Sequence, residues 1–292
     1  MKNKRPFELY GIFGYPLGHT LSPAMHEAGF QALKIDANYL VLELAPPYFK
    51  KAMRDLSRCT LSGFNVTVPY KEIALKHLGK VSPEAKAIGA VNTVYKRGRK
   101  WIGANTDMEG FLISLAKEGN FKPRGKRAVV LGGGGASRAV TYGLAKKGIK
   151  EIVIVDAVPG KAKAIVRQLK RQFPALLCCA FRAGDPEVRD RIQKANIVIN
   201  ATPLGLKKQD ALVIPQGWIP KVKGSGKLFM DLIYNPAETR FLKIAKKRGH
   251  KTLNGLGMLF YQGARAFEYW TQKKAPVKVM RKALFSALGS KG

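Results

Sequence analysis

The sequence predicts an α/β protein of two domains, on three observations. Apolar runs short enough to be strands alternate with helical patterns along most of the 292 residues. Residues 127–156, RAVVLGGGGASRAVTYGLAKKGIKEIVIVD, read as strand, glycine turn, helix, strand. Two further apolar runs, 90–96 and 100–104, are split by Arg97, Gly98 and Arg99 and read as a hairpin that adds antiparallel strands. The expectation is an open, mixed α/β amino-terminal domain followed by a doubly wound parallel sheet of Rossmann type. A chain of this length has room for two cores of ordinary size.

In the first domain, 9–13 reads as a strand and 22–33 as a helix, with Ser22 as its N-cap and Pro23 in its first turn. A strand at 39–44 carries alternating apolar residues, a helix fits 47–56, and a strand fits 61–68. Pro69 opens a helical piece bearing Lys71. After the hairpin come Asn105, Thr106, Asp107 and a helix, FLISLAKEG, that ends at Gly119 and leads out of the domain through a linker at 122–125.

The second domain begins at the glycine turn. Gly132, Gly134 and Ser137 occupy the three slots of a G-x-G-x-x-G/A pattern, where small residues let the backbone bend and approach a pyrophosphate met by N–H groups at a helix start. The helix, about 136–147, stops at Gly148, a left-handed cap. A second strand, 151–155, delivers Asp156 where an acid would bond the adenosine ribose. Further strands near 176, 197, 227 and 251 complete six, the expected size of a dinucleotide-binding sheet. With that sheet complete, the helix after Asn254, whose Leu259, Ala266, Phe267 and Trp270 suit a buried face, and the helix near 279–288 return to the first domain. The domains are therefore expected at 1–107, with 256–292 packing back on it, and at 108–255.

Bulk properties exclude several classes. No run reaches the roughly 18 apolar residues of a membrane span, and the amino terminus has too short an apolar run for a secretory signal, so a cytoplasmic protein without membrane partners is expected. Cys59, Cys178 and Cys179 lack metal-ligand spacing and are read as buried thiols. The net charge of +33 stands apart. Because the 52 basic residues are spread along the chain without a zinc-finger or RNP-type signature, a solvated basic surface that steers anionic ligands is favoured over nucleic-acid binding.

Several stretches together resemble one family, the shikimate dehydrogenases, including quinate/shikimate dehydrogenases. They are GYPLGHTLSPAMH at 14–26, GFNVTVPYK at 63–71, GAVNTV at 89–94, NTD at 105–107, GGGGASR at 132–138, NATPLG at 200–205, DLIYNPAET at 231–239 and GLGMLFYQG at 255–263. Their shared order and spacing cover nearly the whole chain. The resemblance implies an NAD(P)-dependent oxidoreductase that interconverts 3-dehydroshikimate and shikimate in aromatic amino acid biosynthesis, with the substrate in a cleft between the domains. Oxidising a ring hydroxyl needs removal of its proton as hydride leaves the same carbon, and a lysine beside an aspartate can shuttle it. Lys71 and Asp107 match that pair.

The resemblance further implies that Thr20 and Ser22 hold the substrate carboxylate, while Asn65, Thr67, Asn92, Gln262 and, from the cofactor side, Tyr234 meet its hydroxyls. Cofactor contacts would come from Gly132, Gly134, Gly135, Ala136, Ser137 and Arg138, then from Asp156, Thr202, Leu232 and Gly255. No metal is called for, and the assembly is expected as monomer or homodimer. Three departures matter. Thr20 stands where the family usually has serine, which bears on discrimination between shikimate and quinate. Met108 replaces the glycine that commonly follows NTD. Where NADP-dependent members usually show Asn-Arg-Thr, with arginine gripping the 2′-phosphate, this chain has Asp156, Ala157 and Val158. A carboxylate about 4 Å from a phosphate opposes it by up to about 4 kcal/mol at an intermediate dielectric. Lys161, Lys163 and Arg138 would offset part of this. NADP is the family default, and NAD is favoured here. The rivals are an NAD-preferring quinate/shikimate dehydrogenase and a catalytically inactive regulatory or nucleic-acid-associated protein, against which the presence of both Lys71 and Asp107 speaks.

Overall fold

The computed structural model describes residues 7–18, 20–222, 224 and 226–289. Two compact units emerge: residues 1–110 with 260–292, and residues 111–259. The segment 122–125 therefore lies inside the second unit, and the divisions fall within two helices.

The first unit runs β1 (Glu8–Gly14), α1 (Ser22–Ala32), β2 (Ala37–Glu43), α2 (Pro46–Arg54), β3 (Gly63–Val66), α3 (Lys71–His77), α4 (Pro83–Ile88), β4 (Thr93–Arg97), β5 (Lys100–Ala104) and the start of α5 (Asp107–Lys117). Its sheet has the order β2-β1-β3-β4-β5. The first three strands are parallel, and β4 and β5 join antiparallel; the two residues Gly98 and Arg99 close the β4–β5 hairpin, whereas parallel strands need a crossover. Two sequence expectations fail locally. Ser22 is not the N-cap of α1: Leu21 holds that position, and the Ser22 N–H donates to Thr20 Oγ1 at 3.3 Å, so the helix starts one residue early and Pro23 falls inside its first turn. The strand expected at 61–68 narrows to Gly63–Val66, as the chain turns at Thr67 to enter α3, with the Tyr70 N–H bonded to Thr67 O at 2.8 Å.

The second unit continues with β6 (Arg127–Leu131), α6 (Gly135–Lys146), β7 (Glu151–Asp156), α7 (Pro159–Gln172), β8 (Leu177–Arg182), α8 (Glu187–Lys194), β9 (Ile197–Asn200), β10 (Leu228–Asp231), α9 (Arg240–Lys247) and β11 (Lys251–Leu253). All six strands are parallel, in the order β11-β10-β9-β6-β7-β8, the doubly wound arrangement. Both faces are covered. Ala128 and Val130 enter one core with Ile152 and Ile197, while Val129 and Leu131 enter the other with Val153 and Phe229. Each fully buried Val or Ile contributes about 1.5–3 kcal/mol, which is why these strands are continuously apolar.

Two helices end the chain, α10 (Leu256–Thr271) and α11 (Val277–Gly289). In the first unit, Trp270 and Phe30 flank Tyr10, with ring centroids 5.1 and 4.9 Å away, and α11 packs on α1. Ala266, Phe267 and Trp270 are buried as the helical period requires, but Leu259 is only half-buried. Of the cysteines, Cys178 alone is buried; Cys59 and Cys179 are half-buried, on a loop and on the edge strand β8, so the reading of all three as buried is corrected. Among the described residues no group of side chains has the makings of a metal site, and no helix is long and apolar enough to cross a membrane.

Candidate active site

Lys71 is the first residue of α3, and its position is fixed from behind. Tyr70, fully buried, stacks on Phe49 at 4.1 Å and donates its hydroxyl hydrogen to Leu44 O, while the Val91 N–H bonds Lys71 O at 2.9 Å. Asp107 opens α5. The Asn105 side chain accepts from the N–H groups of Asp107 at 3.1 Å and Met108 at 3.4 Å, so Asn105 caps this helix and aims its first residue. Lys71 Nζ and Asp107 Oδ2 lie 2.5 Å apart with side chains only 11% and 6% exposed. A charge-assisted contact of that length, screened from water, sets both groups in one geometry.

The amides around the pair are equally constrained. Asn92 Oδ1 accepts from the Thr106 N–H at 2.7 Å, which fixes the flip of the amide and sends Nδ2 to Asp107 Oδ1 at 2.9 Å. Gln262, on α10, accepts from Asn92 Nδ2 at 3.2 Å and from Thr106 Oγ1 at 3.3 Å. Asn65 accepts from the Tyr39 hydroxyl at 2.8 Å and donates to Asn92 O and Thr93 Oγ1, each at 3.2 Å. Behind Tyr39 lies His26, stacked at 4.6 Å and 12°. Burial holds His26 down at about 3, and neither ring nitrogen has a partner among the described residues.

Thus Lys71, Asp107, Asn65, Asn92 and Gln262 meet in one hydrogen-bonded group within the first unit. Thr20, Ser22 and Thr67 lie outside that network: Ser22 is buried, Thr20 spends a lone pair on α1, and Thr67 stands beside Gly14, where an added Cβ would come 2.5 Å from its methyl. Thr93, Thr106 and Tyr39 were missed from sequence. For Thr106 the NTD stretch was a signal; for Thr93 the signal is its pairing with Asn65 across β3 and β4, which needs the register. Tyr234 belongs to the second unit and is half-buried, just beyond β10. Its segment is pinned by Asp231, which accepts from Ile233 N–H at 3.0 Å, Thr239 Oγ1 at 2.7 Å and Asn200 Nδ2 at 3.1 Å. Full burial raises the Asp231 carboxyl above its ordinary range, against those three donors.

The glycine turn of the second unit is built mainly from backbone. Gly132 has φ +109°, and a Cβ there would sit 2.9 Å from Ala201 O. At Gly134 the reverse holds: no protein atom lies within 4 Å of an added Cβ. No side chain caps α6, so Gly135 and Ala136 present its first turn beside that open space. Ser137, fully buried, donates to Gly132 O at 2.6 Å and closes the turn. Asp156 Oδ2 accepts from the Gly133 N–H at 2.6 Å, and Oδ1 from the Val158 N–H at 2.7 Å. Arg138 reaches Gln168 Oε1 at 2.7 Å, which directs one end of its guanidinium toward α7. Lys161 is closer to the turn, for a Cβ on Gly133 would come 2.8 Å from its own Cβ. Thr202 is held through N–H and hydroxyl by Asn200 Oδ1 at 3.0 and 2.7 Å, and the Leu232 N–H bonds Asn200 O at 2.9 Å. Gly255 is required for packing, since a Cβ would meet Leu232 O at 1.9 Å. A side-chain-free cradle at an uncapped helix start fits a pyrophosphate, and an acid at the end of β7 fits a ribose, so the residues present suit a dinucleotide.

The shikimate dehydrogenase substrate binding domain matches residues 12–94, and the shikimate 5′-dehydrogenase C-terminal domain matches residues 255–285. The shikimate dehydrogenase (NADP(+)) of Moorella thermoacetica is 40% identical over 97% of this chain and 94% of its own length. That of Carboxydothermus hydrogenoformans is 43% identical over 95% and 96%. Among solved structures, shikimate 5-dehydrogenase from Listeria monocytogenes, in complex with shikimate and NAD, superposes with a TM-score of 0.82 at 34% identity over 96% of each chain.

Proposed function

The chain belongs to the shikimate dehydrogenase family, and on that premise we propose that it interconverts 3-dehydroshikimate and shikimate with Lys71 and Asp107 as its proton-transferring pair. It is an NAD(P)-dependent oxidoreductase. The observation that carries the assignment of the pair is the 2.5 Å contact of two nearly buried charges inside a ring of amides.

The proton at the reacting hydroxyl is exchanged with Lys71 Nζ. Asp107 Oδ2 holds the ammonium form, and Asn92, by occupying Oδ1, keeps the carboxylate from turning away. Gln262, Asn92 and Asn65 offer hydroxyl partners without net charge, and a substrate hydroxyl lost from such a site would leave buried polar groups unpaired at about 1–3 kcal/mol each. Thr20 and Ser22 would hold the carboxylate. In the second unit Gly132, Gly134, Gly135, Ala136, Ser137 and Thr202 would hold the cofactor, whose nicotinamide supplies or accepts the hydride when bound. We assign residues 1–107 with 256–292 to substrate binding and catalysis, and 108–255 to the cofactor.

NAD is preferred over NADP in this reading. What supports it is Asp156, held by two backbone N–H groups at the edge of the glycine turn, in place of the usual Asn-Arg-Thr. Steady-state kcat/KM for shikimate oxidation with each cofactor tests this: NAD should lead, and a tenfold or larger advantage for NADP overturns the preference without touching the assignment of the reaction. Lys71→Ala tests the pair. Turnover should be lost while shikimate binding stays measurable, and a variant that keeps more than a tenth of the rate removes Lys71 from its role.

A further inference from the structure

In the sequence the basic residues are dispersed, but a parallel sheet gathers what the chain disperses. Every strand of a doubly wound sheet begins at one edge, and every preceding helix ends there, so loops that lie 20 or more residues apart become neighbours. In the second unit the loops before β6 and β7 are joined directly. The Lys150 N–H donates to Lys126 O at 2.8 Å, and the Gly125 N–H to Gly148 O at 2.9 Å. Between them they carry Lys122, Arg124, Lys126, Lys146, Lys147 and Lys150, all exposed, and residues 119–126 and 146–150 contain no acid. The loop entering β8 is tied on by the Leu177 N–H to Lys150 O at 3.3 Å, and the last turn of α7 adds the exposed Lys170 and Arg171. The acid at the start of β7, Glu151, is neutralised by Arg127 at 3.3 Å and Arg191 at 3.2 Å.

Helix dipoles account for part of this, since cations at helix C-termini are favourable. They account for Lys146, Lys170 and Arg171 but not for Lys122, Arg124, Lys126 and Lys150, which stand on no helix. The glycine turn is at the opposite ends of the same strands, so this edge lies outside the cofactor site. We propose that it docks the phosphate backbone of double-stranded nucleic acid without sequence preference. A row of cations on two zipped loops matches a repeating line of phosphates. Binders of single strands add aromatic platforms for bases, and the nearby aromatics are engaged: Phe121 packs against the core, and Phe173 against Tyr142 at 5.6 Å. A membrane surface fits less well, because among the described residues Leu177 is the one exposed large apolar side chain beside the cluster.

The test is fluorescence anisotropy of a 20-base-pair labelled duplex with the full-length protein across a salt series, run beside flotation with phosphatidylserine vesicles. The expected result is micromolar affinity at low salt and a log–log salt slope of about −4 to −5, for roughly five phosphates neutralised. The triple variant Lys126→Glu, Lys147→Glu, Lys150→Glu should weaken binding at least tenfold and lower the slope by about three. The control, Lys274→Glu, Lys278→Glu, Lys282→Glu, makes the same change of charge on the first unit's exposed surface and should leave binding within twofold. Equal losses in both variants would reduce the effect to net charge alone and overturn the proposal, as would capture by vesicles without duplex binding, or no duplex binding at all. Far-ultraviolet circular dichroism and the melting temperature of both variants report their folding, so the proposal stands or falls independently of the catalytic assignment.

Discussion

The first unit builds its site from side chains and the second from backbone. Around Lys71 and Asp107, amides and hydroxyls from β3, β4, α10 and the residues just ahead of β4 and α5 hold one another, so each group is oriented by the next. At the glycine turn the recognition surface is the absence of side chains at Gly134 and the bare start of α6, with Asp156 and Ser137 serving as struts. The contrast follows from the ligands each would receive. A ring bearing several hydroxyls is distinguished only by partners of fixed polarity, whereas a pyrophosphate is met by any row of N–H groups that can approach it. Substitutions in the first unit should therefore act through geometry, and those in the second through access and charge.

The largest effect should come from Asp107→Asn. The Lys71 ammonium loses its counter-charge while Asn92 Nδ2 loses an anionic acceptor, and general acid–base chemistry of this kind is worth 10²- to 10⁴-fold. We expect kcat to fall at least about a hundredfold, with shikimate binding still detectable by calorimetry. A variant within tenfold of the parent would mean that the network orients a proton carrier other than this pair. Gly134→Val comes next and probes the other design. Because no protein atom lies within 4 Å of the added Cβ, the melting temperature should move little. The KM for the dinucleotide should rise on the order of a hundredfold, since a side chain would stand where the phosphates approach. A large loss of stability with unchanged KM would show that the space belongs to the fold and not to a ligand.

The same contrast governs what was legible in the sequence. All six strands of the second sheet were placed from the sequence, with helical stretches between most of them, and the turn at Gly132 was legible because backbone-built sites leave glycines in the sequence. The helix α4 was not, since six residues are too few for a period and its signal is Ser82 capping the Ala85 N–H just ahead of Pro83. In the site, Lys71 and Asp107 were visible through their flanking motifs. Thr93 and Tyr39 were not, because their role depends on strand register and on a phenol that reaches Asn65 across β1. Ser22 misled for a related reason: a serine before proline looks like a cap until Thr20 is seen to take its N–H.

His26 gives a smaller effect and tests how the side-chain network is backed. Its ordinary value is 6.5 and burial lowers it to about 3, so the folded state binds fewer protons than the unfolded chain between those values. Stability must then fall as pH drops below 6.5. At 1.36 kcal/mol per unit, the descent to pH 5 costs about 2 kcal/mol. His26→Phe keeps a ring against Tyr39 and removes two unpartnered nitrogens. Urea unfolding at pH 7 and pH 5 should show the variant losing about 2 kcal/mol less than the parent over that interval. Equal losses would place the proton on His26 in the folded protein.

The smallest effect should come from Asp156→Ser, and it decides whether charge or scaffolding sets cofactor choice. Each Asp156 oxygen already accepts a backbone N–H, so the carboxylate is half of a turn as well as a charge. Serine keeps one acceptor and removes the charge. At 4 Å a carboxylate opposes a phosphate by up to about 4 kcal/mol, but Asp156 is partly exposed, and solvent cuts this to roughly 1.4 kcal/mol, a tenfold change. The ratio of kcat/KM for NADP to that for NAD should therefore rise about tenfold, with kcat for NAD nearly unchanged. If both cofactors instead weaken together, Asp156 acts by bracing Gly133 and Val158, and discrimination must be sought at Lys161, whose stem packs on that glycine.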